Sequence, residues 1–168
     1  MKKVILLSML MFIPLGIIAQ EMKIAVVNTQ TVFMAMPEIS KFETELANIT
    51  KQYEAEYKGM QDEHNREYSD FVAQQDTLTE NIKVLRLQKI QDIRNRMENF
   101  APMAEEYISK EREKLFAPIQ QKVDKAIKEV GTENGYTYIL IDNPQIILFK
   151  GSSAIDATDK VKAKLGIK

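Results

Sequence analysis

Residues 38–57 read EISKFETELANITKQYEAEY, and this stretch decides the fold of the chain. Its apolar and aromatic side chains recur every three or four residues, which is the spacing of one face of an α-helix. The spacing continues to residue 71, breaks at the polar residues 74–79, and resumes as far as residue 130. We therefore predict two long helices that form an antiparallel hairpin over residues 38–130.

Two details of the hairpin follow from single residues. Asp76 or Thr77 is expected to cap the second helix, with Glu80 in the position of a capping box. Pro102 and Pro118 predict kinks or local breaks, because proline removes a backbone donor and clashes with the preceding turn. A kink at Pro102 would act either as a hinge or as a fixed bend, and the sequence favours neither.

The segments that flank the hairpin predict a small β-rich body, formed by residues 20–37 and 131–168. Residues 22–28 are apolar and β-branched, as in a strand. Residues 136–141 and 145–149 are expected to be two more strands, paired as a β-hairpin through the turn at residues 142–144. A short final helix should carry Val161 and Leu165. The predicted fold class is α+β, mostly α, with the long hairpin projecting from this body.

The N-terminus has the features of a secretory signal peptide over residues 1–19. Lys2 and Lys3 precede an apolar run from Val4 to Ile18, and cleavage after Ala19 would leave Gln20 as the first residue. The alternative is an uncleaved membrane anchor, but the run of roughly 15 residues is shorter than the ~20 that a spanning helix needs. We expect the chain to be exported, with the signal peptide cleaved.

The composition argues against catalysis and against nucleic-acid binding. The chain has no cysteine and one histidine, His64, which lies in a polar stretch, so no transition-metal ligand cluster is expected. We predict no catalytic residue, no metal and no cofactor. There are 24 acidic residues against 23 basic ones, two of which leave with the signal peptide. This balance gives no general attraction to nucleic acid or to anionic lipid.

The predicted body is too small and too apolar to be stable alone. Its strands are nearly continuous in apolar residues, which is typical of strands buried on both faces, and their open edges would promote aggregation. We therefore predict a homo-oligomer. The residues expected at its interface are Ile24, Val26, Ile139, Ile141 and Ile147.

Several ordered segments together resemble the Skp (OmpH-like) periplasmic chaperone family over essentially the whole mature chain. They are KIAVVN at 23–28, API at 117–119 with Val123, Ala126 and Ile127, NGY at 134–136, and DAT at 156–158 followed by Val161 and Leu165. The resemblance implies a homotrimer with a β-barrel body and three hairpins that surround a cavity. Such proteins hold unfolded outer-membrane β-barrel proteins there without ATP. The acidic balance of this chain disfavours the lipopolysaccharide or membrane contact sometimes proposed for the family.

A holding surface needs adaptable apolar side chains, and methionine and tyrosine have that character. Tyr57, Met60, Met97 and Met103 are the predicted client-binding residues, whereas most other apolar residues of the hairpin should fill the seam between its arms. The alternative function is that of a coiled-coil spacer or adaptor in the bacterial envelope. A β body beyond the hairpin distinguishes the two, because a plain spacer does not need one.

Overall fold

The computed structural model describes residues 22–167, so the predicted signal peptide lies outside the described residues. The predicted fold class, α+β and mostly α, is confirmed. The elements in chain order are β1 (Ile24–Val27), α1 (Thr29–Ala35), α2 (Pro37–Gln74), α3 (Glu80–Asn134), β2 (Tyr138–Ile141), β3 (Ile155–Asp156) and α4 (Thr158–Lys164).

Helices α2 and α3 form the antiparallel hairpin. At 1.5 Å per residue, the 38 residues of α2 extend ~57 Å and the 55 residues of α3 extend ~82 Å. Pro37 occupies the first turn of α2, where its missing N–H has no helical partner to lose. Gly135 ends α3 in the left-handed conformation, at φ 64°, and its N–H bonds back to the carbonyls of Gly131 and Thr132.

Two predictions about the second helix are corrected. The residue that caps α3 is Thr79, not Asp76 or Thr77, and the Thr77 hydroxyl instead donates to the carbonyl of Gln74. Helix α3 also continues through Pro102 and Pro118, so the predicted local breaks do not occur, whereas a kink at either proline stays a prediction. Both prolines lie on exposed faces, where water can satisfy the carbonyl that each leaves without a helical donor.

The sheet has three parallel strands in the order β2-β1-β3. Ala25 of β1 is opposite Ile139 of β2 on one side and Ile155 of β3 on the other. The predicted β-hairpin of residues 136–141 and 145–149 is wrong, because β2 pairs with β1 and residues 145–149 form no strand. Parallel neighbours need a long crossover, and the whole helical hairpin is the crossover from β1 to β2.

The turn after β2 redirects the chain away from the sheet. The carbonyl of Asn143 accepts from the N–H groups of Ile146 and Ile147 at 2.9 and 2.8 Å, and its side chain accepts from Gln145 at 2.8 Å. These bonds hold the residues after Pro144 in a compact turn rather than in an extended strand. We call residues 145–150 the strap.

The hydrophobic core lies where the sheet meets the base of the hairpin. Ala25 and Val27 of β1 pack with Val32 of α1, with Val161 of α4, and with one face of α3. That face of α3 carries the buried residues Ile119, Val123, Ala126 and Val130. The base of the long helix is therefore part of the body's core, and the hairpin is anchored by its own buried turns.

A hydrogen-bond chain connects the two ends of the body. The hydroxyl of the buried Thr158 accepts from the N–H of Asn28 at 3.0 Å, and the N–H of Thr158 donates to Asp156 at 2.9 Å. A further bond from the Thr158 side chain is the main cause that lowers the pKa of Asp156. Thr158 thus attaches the start of α4 to the end of β1.

Candidate functional site

The two arms of the hairpin meet along a seam of aromatic rings. Tyr53 lies 5.9 Å from Phe100 and 5.3 Å from Tyr107 between ring centroids, and Phe42 lies 5.6 Å from Phe116 nearer the body. No residue of α2 is fully buried. Two helices bury one stripe each and have no third layer, so even seam residues stay close to water.

Charges pair across the hairpin, between the acidic first arm and the basic distal part of the second. Glu67 contacts Lys89 at 2.7 Å and Arg86 at 3.8 Å, and Glu63 contacts Arg96 at 3.2 Å. The hydrogen bond from Lys89 is the main cause that lowers the pKa of Glu67. These pairs show which residues of the two arms lie opposite each other, and they leave little net charge on the distal hairpin.

The four predicted client-binding residues divide into two pairs. Met60 and Met97 are half-buried, and the pairing of Glu63 with Arg96 indicates that they lie opposite each other. Tyr57 and Met103 are exposed, at 37% and 53% of their surface. The first pair belongs to the seam, whereas the second pair is open to solvent. Their role in binding clients stays a prediction.

A shallow groove of about 310 Å³ runs between the arms halfway along the hairpin, and we call it the mid-hairpin groove. Tyr57 lines it together with Ala101 and Glu105. Met103 is two residues away from both Ala101 and Glu105. Two residues correspond to about 200° around the helix, so Met103 points to another side of α3. The lining residues are Thr50, Tyr53, Glu54, Tyr57, Phe100, Ala101, Ala104, Glu105 and Ile108.

Sequence reasoning missed an exposed apolar patch at the distal end of the hairpin. Leu85 continues the apolar spacing of the second arm but is 60% exposed, and Val84 and Leu87 beside it are exposed as well. Tyr68 and Val72 of α2 belong to the same end. The available signal was the run Val84-Leu-Arg-Leu87, which places apolar residues on more than one face of the helix.

The five predicted interface residues lie on both faces of the sheet. Ile139 and Ile141 are opposite Ala25 and Val27, whose side chains enter the core. Ile24 and Val26 alternate with these and face the other side of the sheet. There they line a cavity of about 510 Å³ together with Ile147 of the strap. Ile24 and Ile141 are exposed in the single chain, and Val26 is buried.

The strap is the most exposed apolar segment of the described chain. Leu148 and Phe149 are 92% and 85% exposed, and Ile146 is 67% exposed. Of the strap residues, only Ile147 was among those predicted for the interface. The apolar run at 145–149 was the sequence signal. Because it was predicted as a paired strand, the absence of a partner strand among residues 22–167 was not anticipated from the sequence.

Neither a metal-ligand cluster nor a membrane-spanning helix occurs among the described residues. Between residues 22 and 167, no group of three or more His, Cys, Asp or Glu side chains could hold a metal ion. His64 stacks on Tyr68 with ring centroids 6.4 Å apart, on the surface of α2. No helix within that range is both long enough and apolar enough to cross a membrane.

The fold defines a helical-hairpin protein with a small parallel-sheet body, and comparison with known proteins identifies its family. The model of the outer membrane protein (OmpH-like) family matches residues 23–165, so the chain belongs to this family and the resemblance stated from the sequence is confirmed. Six solved chains match. One is described as a candidate outer membrane chaperone (OmpH-like) from Caulobacter crescentus CB15. It is 15% identical, has a TM-score of 0.73, and the match covers 86% of this chain and 84% of that one. No curated protein sequence matched.

Proposed function

We propose that this chain is an ATP-independent periplasmic holding chaperone, which binds unfolded outer-membrane β-barrel proteins and prevents their aggregation. The observation that carries the proposal is the OmpH-like family match combined with a hairpin whose first arm buries no residue. Such arms keep tyrosine and methionine at the surface, where they can contact many different apolar sequences. Export by the N-terminal signal would place the protein where such clients pass.

The working particle is a homotrimer that encloses a cavity. Two features of the body support association. The outer edge of β2 has no partner strand among the described residues, and the strap exposes Ile146, Leu148 and Phe149. An unpaired edge beside exposed apolar side chains is a site for strand addition by another copy. The number three comes from the resemblance to the Skp family.

Clients are held by many weak contacts rather than by one tight site. A tyrosine ring or a methionine side chain at the surface excludes only part of the water around a client. Three hairpins around one cavity raise the effective concentration of such contacts, so that weak individual affinities add to useful retention. No nucleotide is needed in this scheme, because release follows when the client folds elsewhere.

The holding function is tested by the aggregation of an unfolded outer-membrane β-barrel protein at a stoichiometric ratio, without nucleotide. The wild type should suppress aggregation, and the exposed pair Tyr57→Gln with Met103→Gln should suppress it less while melting at the same temperature. The seam pair, Met60→Gln with Met97→Gln, should reduce the suppression of aggregation and also lower the melting temperature. If the wild type does not suppress aggregation of the client, the proposed holding function is wrong.

A matched control is available at the distal end of α2. Tyr68→Gln with Val72→Gln removes comparable exposed apolar surface from the same hairpin. A smaller loss of holding in this control supports the assignment of Tyr57 and Met103. An equal loss shows that binding is spread along the arm, which overturns the residue assignment but leaves the function in place.

The trimer is tested by sedimentation of the wild type and of a strap variant, Leu148→Ser with Phe149→Ser. Both side chains are almost fully exposed in the single chain, so their removal should spare the fold and shift the trimer to monomer. Met34→Ser is the control, since Met34 is 73% exposed on α1 and does not belong to the strap. Elongated dimers that hold no client would instead support the spacer function.

A further inference from the structure

We propose that the mid-hairpin groove selects client segments in which an apolar side chain lies next to an arginine or a lysine. The inference rests on the proposed holding function and names the chemistry of the client that this surface prefers. It follows from three properties of the groove: its shape, its aromatic wall and the two carboxylates at its rim.

The shape comes from small residues placed opposite one another. On α3, Ala101 and Ala104 stand where a longer side chain would fill the space between the arms. On α2, the Thr50 hydroxyl donates to the carbonyl of Leu46 at 2.9 Å, so the polar part of this side chain turns back to its own helix. The groove is therefore an apolar depression that can receive a side chain of a passing polypeptide.

The wall of the groove is aromatic. Tyr53 and Phe100 form one side, and the partial burial that results is the main cause that raises the pKa of Tyr53. The ring of Tyr57, which is more exposed, lies beside them. Aromatic faces attract both apolar groups and cations, and a guanidinium or ammonium group over such a ring gains further attraction from the ring quadrupole.

The two carboxylates at the rim determine which charge the groove prefers in a client. Glu54 of α2 and Glu105 of α3 both line the groove. Neither is within 4.0 Å of a basic nitrogen in the part of the chain that the structure describes, although their neighbours along the hairpin, such as Glu63 and Glu106, are paired. Lys51 and Lys58 stand three residues before and four residues after Glu54, yet neither reaches it.

An apolar depression between two carboxylates that form no salt bridge with the described residues is complementary to an apolar side chain next to a basic one. The apolar group occupies the space above Ala101 and Ala104, while the cation meets Glu54 or Glu105. An acidic segment of the same hydrophobicity would be repelled by both carboxylates. The groove is thus a selective element within a surface that is otherwise tolerant.

Two labelled, unstructured peptides of equal length and equal phenylalanine content test this inference in the full-length protein. One alternates Phe with Arg and the other alternates Phe with Glu, and binding is followed by fluorescence anisotropy at low and at physiological salt. We expect the Arg peptide to bind at least about fivefold more tightly than the Glu peptide, with the difference reduced by salt.

The variant Glu54→Gln with Glu105→Gln should lose that preference. The matched control is Glu43→Gln with Glu113→Gln, which makes the same charge change at two exposed positions of the same helices, nearer the body. A second variant, Ala101→Leu, fills the groove at an exposed position and should weaken binding of the Arg peptide without changing the charge.

The outcomes separate this inference from the proposed function. Equal affinity of the wild type for both peptides, or an equal loss of preference in the control, overturns the inference. In either case continued suppression of client aggregation would leave the holding function intact. Failure of the wild type to suppress aggregation would overturn the holding function itself.

Discussion

The body and the distal hairpin of this protein are stabilised in different ways. In the body, side chains from β1, α1, α3 and α4 converge, and Val27, Val123 and Val161 are at most 1% exposed. In the distal hairpin only α2 and α3 meet, and Ile90, Ile93 and Ala104 are the buried residues that α3 contributes there. The lesson is that one helix, α3, serves as a core element at its base and as an open, two-helix arm beyond it.

The largest expected effect is the loss of the body's core. Val123→Asp places a charge without a partner among buried apolar side chains, which should cost more than about 4 kcal/mol and unfold the chain. Circular dichroism during denaturation measures this. Gln121→Asp, two residues away at an exposed position, is the control and should change stability by less than about 0.5 kcal/mol. A folded Val123→Asp protein would contradict the core described above.

The next effect should stay within the hairpin. Ile93→Ala removes the most buried large side chain of the distal arms and should cost about 2–4 kcal/mol of local stability. Hydrogen exchange should accelerate in the distal parts of α2 and α3 while amides of β1 and α4 keep their protection. Val84→Ala, at an exposed site on the same helix, is the control. Equal acceleration in the body would show that the two regions unfold as one unit.

A smaller effect concerns the hydrogen bond between the Asn28 N–H and the Thr158 hydroxyl, which attaches α4 to the end of β1. Thr158→Val keeps the shape of the side chain but removes its hydroxyl, so the Asn28 N–H loses its acceptor and Asp156 keeps only the backbone N–H of residue 158 as a donor. We expect a loss of about 1–2 kcal/mol, measured by chemical denaturation. Thr132→Val serves as the control, since its hydroxyl bonds only within its own helix and is exposed. A neutral Thr158→Val would mean that water replaces these bonds at no cost.

The smallest effect should come from the ion pairs between the arms. Because the pKa of Glu67 is lowered by Lys89, its contribution is present above the ordinary carboxylate range and is lost as pH falls through the lowered value. Distal hairpin amides should therefore exchange faster, relative to body amides, on acidification. Glu67→Gln should remove part of this pH dependence. Glu98→Gln, which breaks a pair within α3, should not.

The sequence predicted the parts of the fold that depend on local spacing. The recurrence of Ile39, Phe42 and Leu46 every three or four residues was enough to predict a helix, because helical hydrogen bonds join residues four apart. The polar break at residues 74–79 likewise marked the turn. The family, too, could be inferred from short ordered segments, and the family comparison agreed.

Pairing between strands could not be read in the same way. Strand propensity correctly placed β1 and β2, but residues 145–149 had the same propensity and formed no strand. The difference lies in partners: β2 pairs with β1 across a crossover of more than 100 residues, whereas the strap pairs with no strand in the described part of the chain. The mid-hairpin groove was missed for a related reason, because it depends on which residues of α2 face Ala101 and Ala104.

The sequence by itself determined the elements of this protein: two long amphipathic arms, a β-rich body at their base, and a surface with little net charge. These follow from local periodicity and composition, which act over a few residues. Only the tertiary structure decided that the sheet is parallel, that the base of α3 belongs to the body's core, and that the strap is left exposed. Those properties depend on contacts between residues far apart in the chain, and no local pattern encodes the register in which such residues meet.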